Sequence, residues 1–152
     1  MRKSNIYSTG NRRKINPNWF TGPVHMKDIS STIQSKEHDV YHVYFKNGAK
    51  TKLHTHNGNQ ILIATQGKGS LVLFKKYGNK KQDFKIKKTK SIPLVPGDIV
   101  YIPKNTLHTH GSTNKRQVFS HIAINILPAK NTKYKTIWYD SDFASQASKI
   151  VS

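Results

Sequence analysis

Short apolar runs separated by turn residues cover most of the chain, and long helical periodicity is nearly absent. HDVYHVYF (38–45) leads into Asn47-Gly48, and QILIAT (60–65) is followed by Gly67 and Gly69. SLVLFKKY (70–77) is followed by Gly78-Asn79, and SIPLV (91–95) runs into Pro96-Gly97. DFKIK (83–87) alternates, DIVYIP (98–103) stops at Pro103, and RQVFSHIAINILP (116–128) stops at Pro128. Strands of this length, with turns at this spacing, predict an all-β fold, either a sandwich or a barrel. The turns have a mechanism: Gly and Asn accept positive φ, and Pro presets the first turn position. One stretch, SDFASQASKI (141–150), reads as a short helix capped by Ser141 with Asp142 in its first turn, or as a loose tail.

The length of 152 residues fits one domain, and 35% hydrophobic residues suffice for one core. The expected division is a basic, flexible arm over 1–18, a single domain over 19–130, and a C-terminal strand with a short helix or tail over 131–152. No apolar run approaches the length of a membrane span. The N-terminal charges have no apolar stretch behind them, so the reading is a soluble, cytoplasmic protein. With no cysteine, any metal must be held by His, carboxylate or amide groups.

Charge adds one further candidate. Lys and Arg number 26 against 7 acids, a net charge of +19, and Glu37 is the single glutamate. Residues 75–90 carry eight lysines against Asp83. In that hairpin Asp83, Lys85 and Lys87 are expected to face water, with Phe84 and Ile86 on the core. Such a balance fits a solvated surface, or sequence-independent binding of a polyanion such as nucleic acid. No nucleic-acid motif accompanies it, so nucleic acid is not the favoured partner.

The histidines carry more information. His54-Thr55-His56 is followed by Gln60, His108-Thr109-His110 forms a second pair, and His121 sits inside the last long apolar run. On a strand, alternate side chains share a face, so each HxH pair points one way and two imidazoles can reach one ion. The turn formers Asn57-Gly58-Asn59 can bring Gln60 back to the same point. Alone, an HxH pair reads equally as surface polar residues. His110 likewise reads as a hydrogen-bonded strand residue, and His121 as a satisfied core histidine.

Spacing changes that balance. The first stretch runs Gly48, five residues, His54-x-His56, three residues, Gln60, six residues, Gly67. The second runs Gly97, five residues, Pro103, Asn105, His108, then Ser112. These resemble the two motifs of the cupin superfamily, with Gln60 at the usual acid, Asn105 at a motif glycine and Ser112 at a motif asparagine. Together with FTGPVHMKDI (20–29), PGDIVYIP (96–103) and HIAI (121–124), they look like a small single-domain cupin group of the HxHxxxQ type. That group includes carboxymuconolactone-decarboxylase-associated cupins and manganese-dependent hydroxynitrile lyases. The resemblance implies a double-stranded β-helix (a jelly-roll barrel) and one divalent metal per chain. It implies ligands at His54, His56, Gln60 and His108, with His110 and His121 nearby as acid/base groups. It also implies a homodimer or a tetramer.

Three imidazoles and one amide leave the ion's charge unneutralised, which favours an anionic or ionising ligand. Hard Mn2+ or Fe2+ suits these N/O donors, and Zn2+, Ni2+, Co2+ and Cu2+ stay open. The function expected is a metal-dependent enzyme acting on a small oxygenated organic molecule, by lyase, isomerase or dioxygenase chemistry. The alternatives are a non-catalytic ligand-binding or sensing cupin, and polyanion binding through the lysine-rich surface.

Overall fold

The alternation becomes twelve strands in a computed structural model, described for residues 1–8, 10–80, 83–129, 132–143 and 145–150. They are β1 (Arg12–Arg13), β2 (Val24–Asp28), β3 (His38–Phe45), β4 (Leu53–His56), β5 (Gln60–Gln66) and β6 (Gly69–Tyr77). Then follow β7 (Asp83–Leu94), β8 (Ile99–Ile102), β9 (Leu107–Ser112), β10 (Phe119–Ile126), β11 (Thr136–Ser141) and β12 (Gln146–Lys149). One sheet has the order β1-β2-β3-β10-β5-β8. The other six strands, β11-β12-β7-β6-β9-β4, close on themselves because β11 also pairs with β4. This is the all-β jelly-roll barrel that the strand spacing and the two motifs predict.

Two core clusters hold it. Phe45, Phe119, Leu62, Leu94 and Ile102 lie between the sheets, and Leu53, Phe74, Phe84, Ile86, Tyr139 and Ala147 fill the other end. Each Leu, Ile or Phe among them contributes about 1.5–3 kcal/mol on full burial. The lysine-rich hairpin behaves as its alternation demands: Phe84 and Ile86 are buried, while Asp83, Lys85 and Lys87 are exposed.

Three regions differ from expectation. Residues 141–150 were read as a helix or tail, yet Gln146–Lys149 form β12, between β11 and β7. The Asp142 carboxylate accepts from the backbone N–H of Ser145 (2.9 Å) and Gln146 (3.3 Å), closing a turn rather than starting a helix. Ala147 then reaches the core at 1% exposure, which a tail cannot do. DFKIK and SIPLV are one strand, β7, running through Pro93. The ring is tolerated because, among the described residues, β12 and Ser145 cover β7 only at residues 83–86 and leave that edge free at Pro93. Part of the expected N-terminal arm is also built into the sheet. Arg13 forks onto Asp39 at 2.6 and 3.0 Å, reaches Asp28 at 3.3 Å, and lies over the Tyr41 ring.

Candidate metal centre

Strand register assembles the histidines. His54 on β4 lies directly opposite His108 on β9, and on its other side β4 pairs with β11, setting His56 opposite Thr136. Ring centroids are 4.2 Å apart for His54 and His108, 4.9 Å for His54 and His56, and 5.4 Å for His56 and His108. Gln60 enters from the facing sheet, after the Asn57-Gly58-Asn59 turn carries the chain across. All four side chains are buried, at 6% exposure or less.

Their outer nitrogens are fixed. Nδ1 of His54 donates to the Lys52 carbonyl and Nδ1 of His108 to the Thr106 carbonyl, while Nδ1 of His56 meets Thr136 Oγ1, each at 2.8 Å. The two carbonyls set the tautomer of His54 and His108 and leave each of those Nε2 atoms a lone pair, and the Thr136 hydroxyl can accept from His56 to do the same. Nε2 of His56 and of His108 are buried atoms without a hydrogen-bond partner among the described residues, as is Oε1 of Gln60. The Gln60 amide cannot turn round, because its Nε2 donates to Asn125 Oδ1 at 2.8 Å. Asn125 in turn leans on the Tyr41 hydroxyl (3.3 Å) and on Asp39 (3.4 Å), the carboxylate that Arg13 holds. Two imidazole nitrogens and one amide oxygen, buried, unprotonated and aimed inward, form a donor set that fits a divalent cation. Pinning of outer nitrogens is the second layer of contacts such sites use.

Burial also keeps the rings neutral. It pushes His56 down to about 3 and His108 to about 4, and neighbouring His108 adds to the effect at His56. Burial, then the neighbouring imidazoles, hold His54 well below the ordinary histidine range.

His110 and His121 lie beside this group. His121 is brought inward just past a bulge where β5 carries one extra residue against β10, and its Nε2 is 3.0 Å from His110 Nδ1. Phe45 meets both rings, at centroid distances of 5.9 and 5.4 Å. His110 is closer to the centre than an outer role requires. The ligand atoms of His54, His108 and His110 all lie within 4.8 Å of one another, a grouping that does not include His56. The geometry thus brings all six predicted residues together without separating His110 from the ligands. Burial lowers both rings, His121 to about 3, with His121 adding to the effect at His110.

The motif departures have local reasons. Asn105 takes φ 63°, the left-handed conformation for which Asn is the usual substitute for Gly, and its N–H binds the His56 carbonyl at 2.7 Å. Ser112 Oγ bridges to Asn114, accepting from its N–H and donating to its carbonyl.

Sequence reasoning missed Asn125, Asp39, Arg13, Trp19 and Tyr134, which line the cavity over the histidines. Asn125 had a readable signal: it shares the inward parity of Phe119, His121 and Ala123, so an amide there had to find a buried partner.

A jelly roll with an imidazole-lined interior cavity defines a class of barrel whose chemistry sits inside the fold. The chain belongs to the cupin family, whose model, described as Cupin, matches residues 32–139. A cupin-like protein from Thermotoga maritima is 29% identical, with TM-score 0.61, over 89% of this chain and 88% of that one. A polyketide cyclase from Streptomyces resistomycificus shares the fold at 12% identity and TM-score 0.65, over 94% and 89% of the two chains. The Mn(II)-containing oxalate decarboxylase of Bacillus subtilis shares it at 20% identity and TM-score 0.55, over 76% of this chain and 27% of that one. No curated protein matches the sequence. No helix among the described residues is long and apolar enough to cross a membrane.

Proposed function

We propose that this cupin is a metal-dependent enzyme of the HxHxxxQ type, acting on a small oxygenated organic molecule. His54, His56, Gln60 and His108 hold one divalent ion, with Mn2+ or Fe2+ preferred. The observation that carries this is the set of orphaned buried atoms, Nε2 of His56, Nε2 of His108 and Oε1 of Gln60, with His56 and Gln60 lining one cavity and the His108 ring packed against those of His54 and His56. The Mn(II) of the oxalate decarboxylase neighbour supports the choice of metal. A bound ion supplies Lewis acidity toward an oxygen of the substrate, undiminished by any ligand carboxylate.

The chain's own residues do the rest. His110 Nδ1 meets His121 Nε2, and a ring nitrogen of His110 lies within 4.8 Å of ligand atoms of His54 and His108. Neutral at pH 7, His110 can take a proton from the substrate and give it back. Asn125 keeps the Gln60 oxygen inward. The aromatic walls exclude water.

Metal analysis of native protein tests this reading. About one metal per chain is expected, lost in His54→Ala and bound more tightly in Gln60→Glu. Native protein that is metal-free under conditions that do not strip metal would sink it. If His110→Ala and His121→Ala leave turnover unchanged while a ligand still binds, the protein is a binding or sensing cupin instead.

A homodimer is part of the same reading. On the outer face of the six-stranded sheet, Ile61 and Ile63 lie beside Tyr101 and Ile99 on one side and Ile124 and Ile122 on the other. Ile99 and Tyr101 are 65% and 58% exposed, an apolar patch that a second copy would cover. Tyr101→Lys should then yield a monomer in sedimentation.

A further inference from the structure

The cavity over the histidines, about 290 Å3, contains two polar groups that the metal reading does not use. Trp19 Nε1 and the Tyr134 hydroxyl are buried atoms with no hydrogen-bond partner among the described residues, and both side chains line the cavity. An unsatisfied buried donor is costly, so its retention calls for a partner from outside the chain.

Neither side chain is there by accident of packing. Tyr134 sits in a clamp made by Asn57, the residue after His56. The Asn57 amide donates to the Lys133 carbonyl (2.9 Å), its Oδ1 accepts from the Lys135 N–H (2.7 Å), and its backbone N–H binds the Lys135 carbonyl (3.1 Å). Gly58 is required beside it, since a Cβ there would lie 2.7 Å from the Tyr134 ring. Trp19 is tied at the opposite end of β4, where its carbonyl accepts from the Lys52 N–H at 2.7 Å. Its ring stacks on Trp138 (5.1 Å, 5°), which covers His54 (4.4 Å). The Tyr134 ring covers His56 at 5.2 Å. Two donors therefore flank the HxH pair from both ends of its strand.

Their chemistry is complementary to that of the histidines. The imidazole nitrogens and the Gln60 oxygen accept, whereas an indole N–H only donates and so needs an acceptor. The one carboxylate in the lining, Asp39, is already held by Arg13. The remaining walls include Phe20, Tyr41, Phe45 and Trp138, and the volume lies at the small end of ligand pockets.

We propose that Trp19 and Tyr134 form a donor subsite that grips oxygen acceptors of the substrate, so that the cavity selects a small aromatic acid with a single ring. This rests on the enzymatic reading above and names its substrate class. The acid's ring lies between the aromatic walls, with its oxygens shared between the donor subsite and the histidine pole.

The chain's two tryptophans both line this cavity, so their fluorescence reports its occupancy without background. Metal-loaded protein should show saturable quenching by benzoate, and weaker quenching by benzyl alcohol. Tyr134→Phe should weaken benzoate binding by about tenfold, as expected for a lost hydrogen bond to a charged group, with metal content and circular dichroism unchanged. Trp19→Phe, read through Trp138, should do the same. Absence of saturable quenching, equal quenching by the alcohol, or unchanged affinity in both variants would each overturn the proposal. Metal analysis on the same samples separates the two ideas. Tyr134-dependent benzoate binding by a protein that takes no metal would uphold the subsite and end the metal reading. Full metal with unchanged benzoate affinity in both variants would do the reverse.

Discussion

The outer face of the barrel and its interior both carry buried histidines, and they are treated in opposite ways. On the outer face of the six-stranded sheet, His42 is fully buried, and every polar atom of its ring has a partner. Nε2 meets Thr65 Oγ1 at 2.8 Å, and Nδ1 meets the Ile6 carbonyl at 3.1 Å and the Tyr44 hydroxyl at 3.0 Å. Across the barrel interior, His56 and His108 are equally hidden, but each keeps one nitrogen without a partner among the described residues. Burial alone therefore says nothing about role. His42, with both nitrogens answered, is part of the framework, whereas His56 and His108 each keep a nitrogen free for a ligand.

The strongest way to break that comparison is to truncate one ring from each face. His108→Ala should lower metal affinity by more than about 100-fold, since even outer partners of metal ligands are worth about 10–100-fold. Metal retained at native affinity would remove His108 from the site. Acid should act next. In the metal-free protein the interior rings resist protonation, His108 down to about 4, while in the unfolded chain they protonate near 6.5. The unfolded state therefore binds more protons below that value, and stability should fall as pH drops from about 6.5 toward about 4. Urea midpoints at several pH values read this directly, and a smaller acid loss is expected in His108→Ala.

His42→Ala should give the converse of His108→Ala. Metal stoichiometry stays native, while unfolding free energy drops by about 2–4 kcal/mol as Thr65 and Tyr44 lose their partner. Calorimetry and metal analysis on one sample decide it. Asn125→Ala tests the layer between the faces, because it frees the Gln60 amide to turn. Metal affinity should fall about 10-fold with little change in thermal midpoint. The smallest effect is expected on the hairpin. Lys85→Ala with Lys87→Ala should shift stability by no more than about 0.5 kcal/mol. A steep, salt-dependent loss of nucleic-acid affinity in that double variant would instead give the lysines a binding role.

Much of this was legible in the chain. The bounds of β3, the shared face of each HxH pair and the two-sided hairpin follow from period-two alternation, which the barrel preserves. What failed did so where alternation was weak or contacts were distant. Residues 141–150 are mostly small and polar, so Ala147 could not distinguish a helix from a strand without β7 beside it. β7 reads as two runs because Lys88-Thr89-Lys90, with a bulge at Thr89, interrupts the alternation between DFKIK and SIPLV. Arg13 and Asp39, or Asn57 and Tyr134, meet only through the fold. No local pattern marks Tyr134, whereas the inward parity of Asn125 could have been followed.

The position of β4 has a kinetic side. One of its neighbours, β11, contributes Thr136, 80 residues beyond its partner His56. Loop closure over such spans is slow and precedes any reward from the contacts it makes. The strand bearing His54 and His56 is therefore open along one edge until the C-terminal part of the chain arrives, which predicts a centre that is completed late in folding. An ion that needs the finished centre cannot act on the rate-limiting closure. Added during refolding, it should slow unfolding and raise the final stability while leaving the folding rate unchanged.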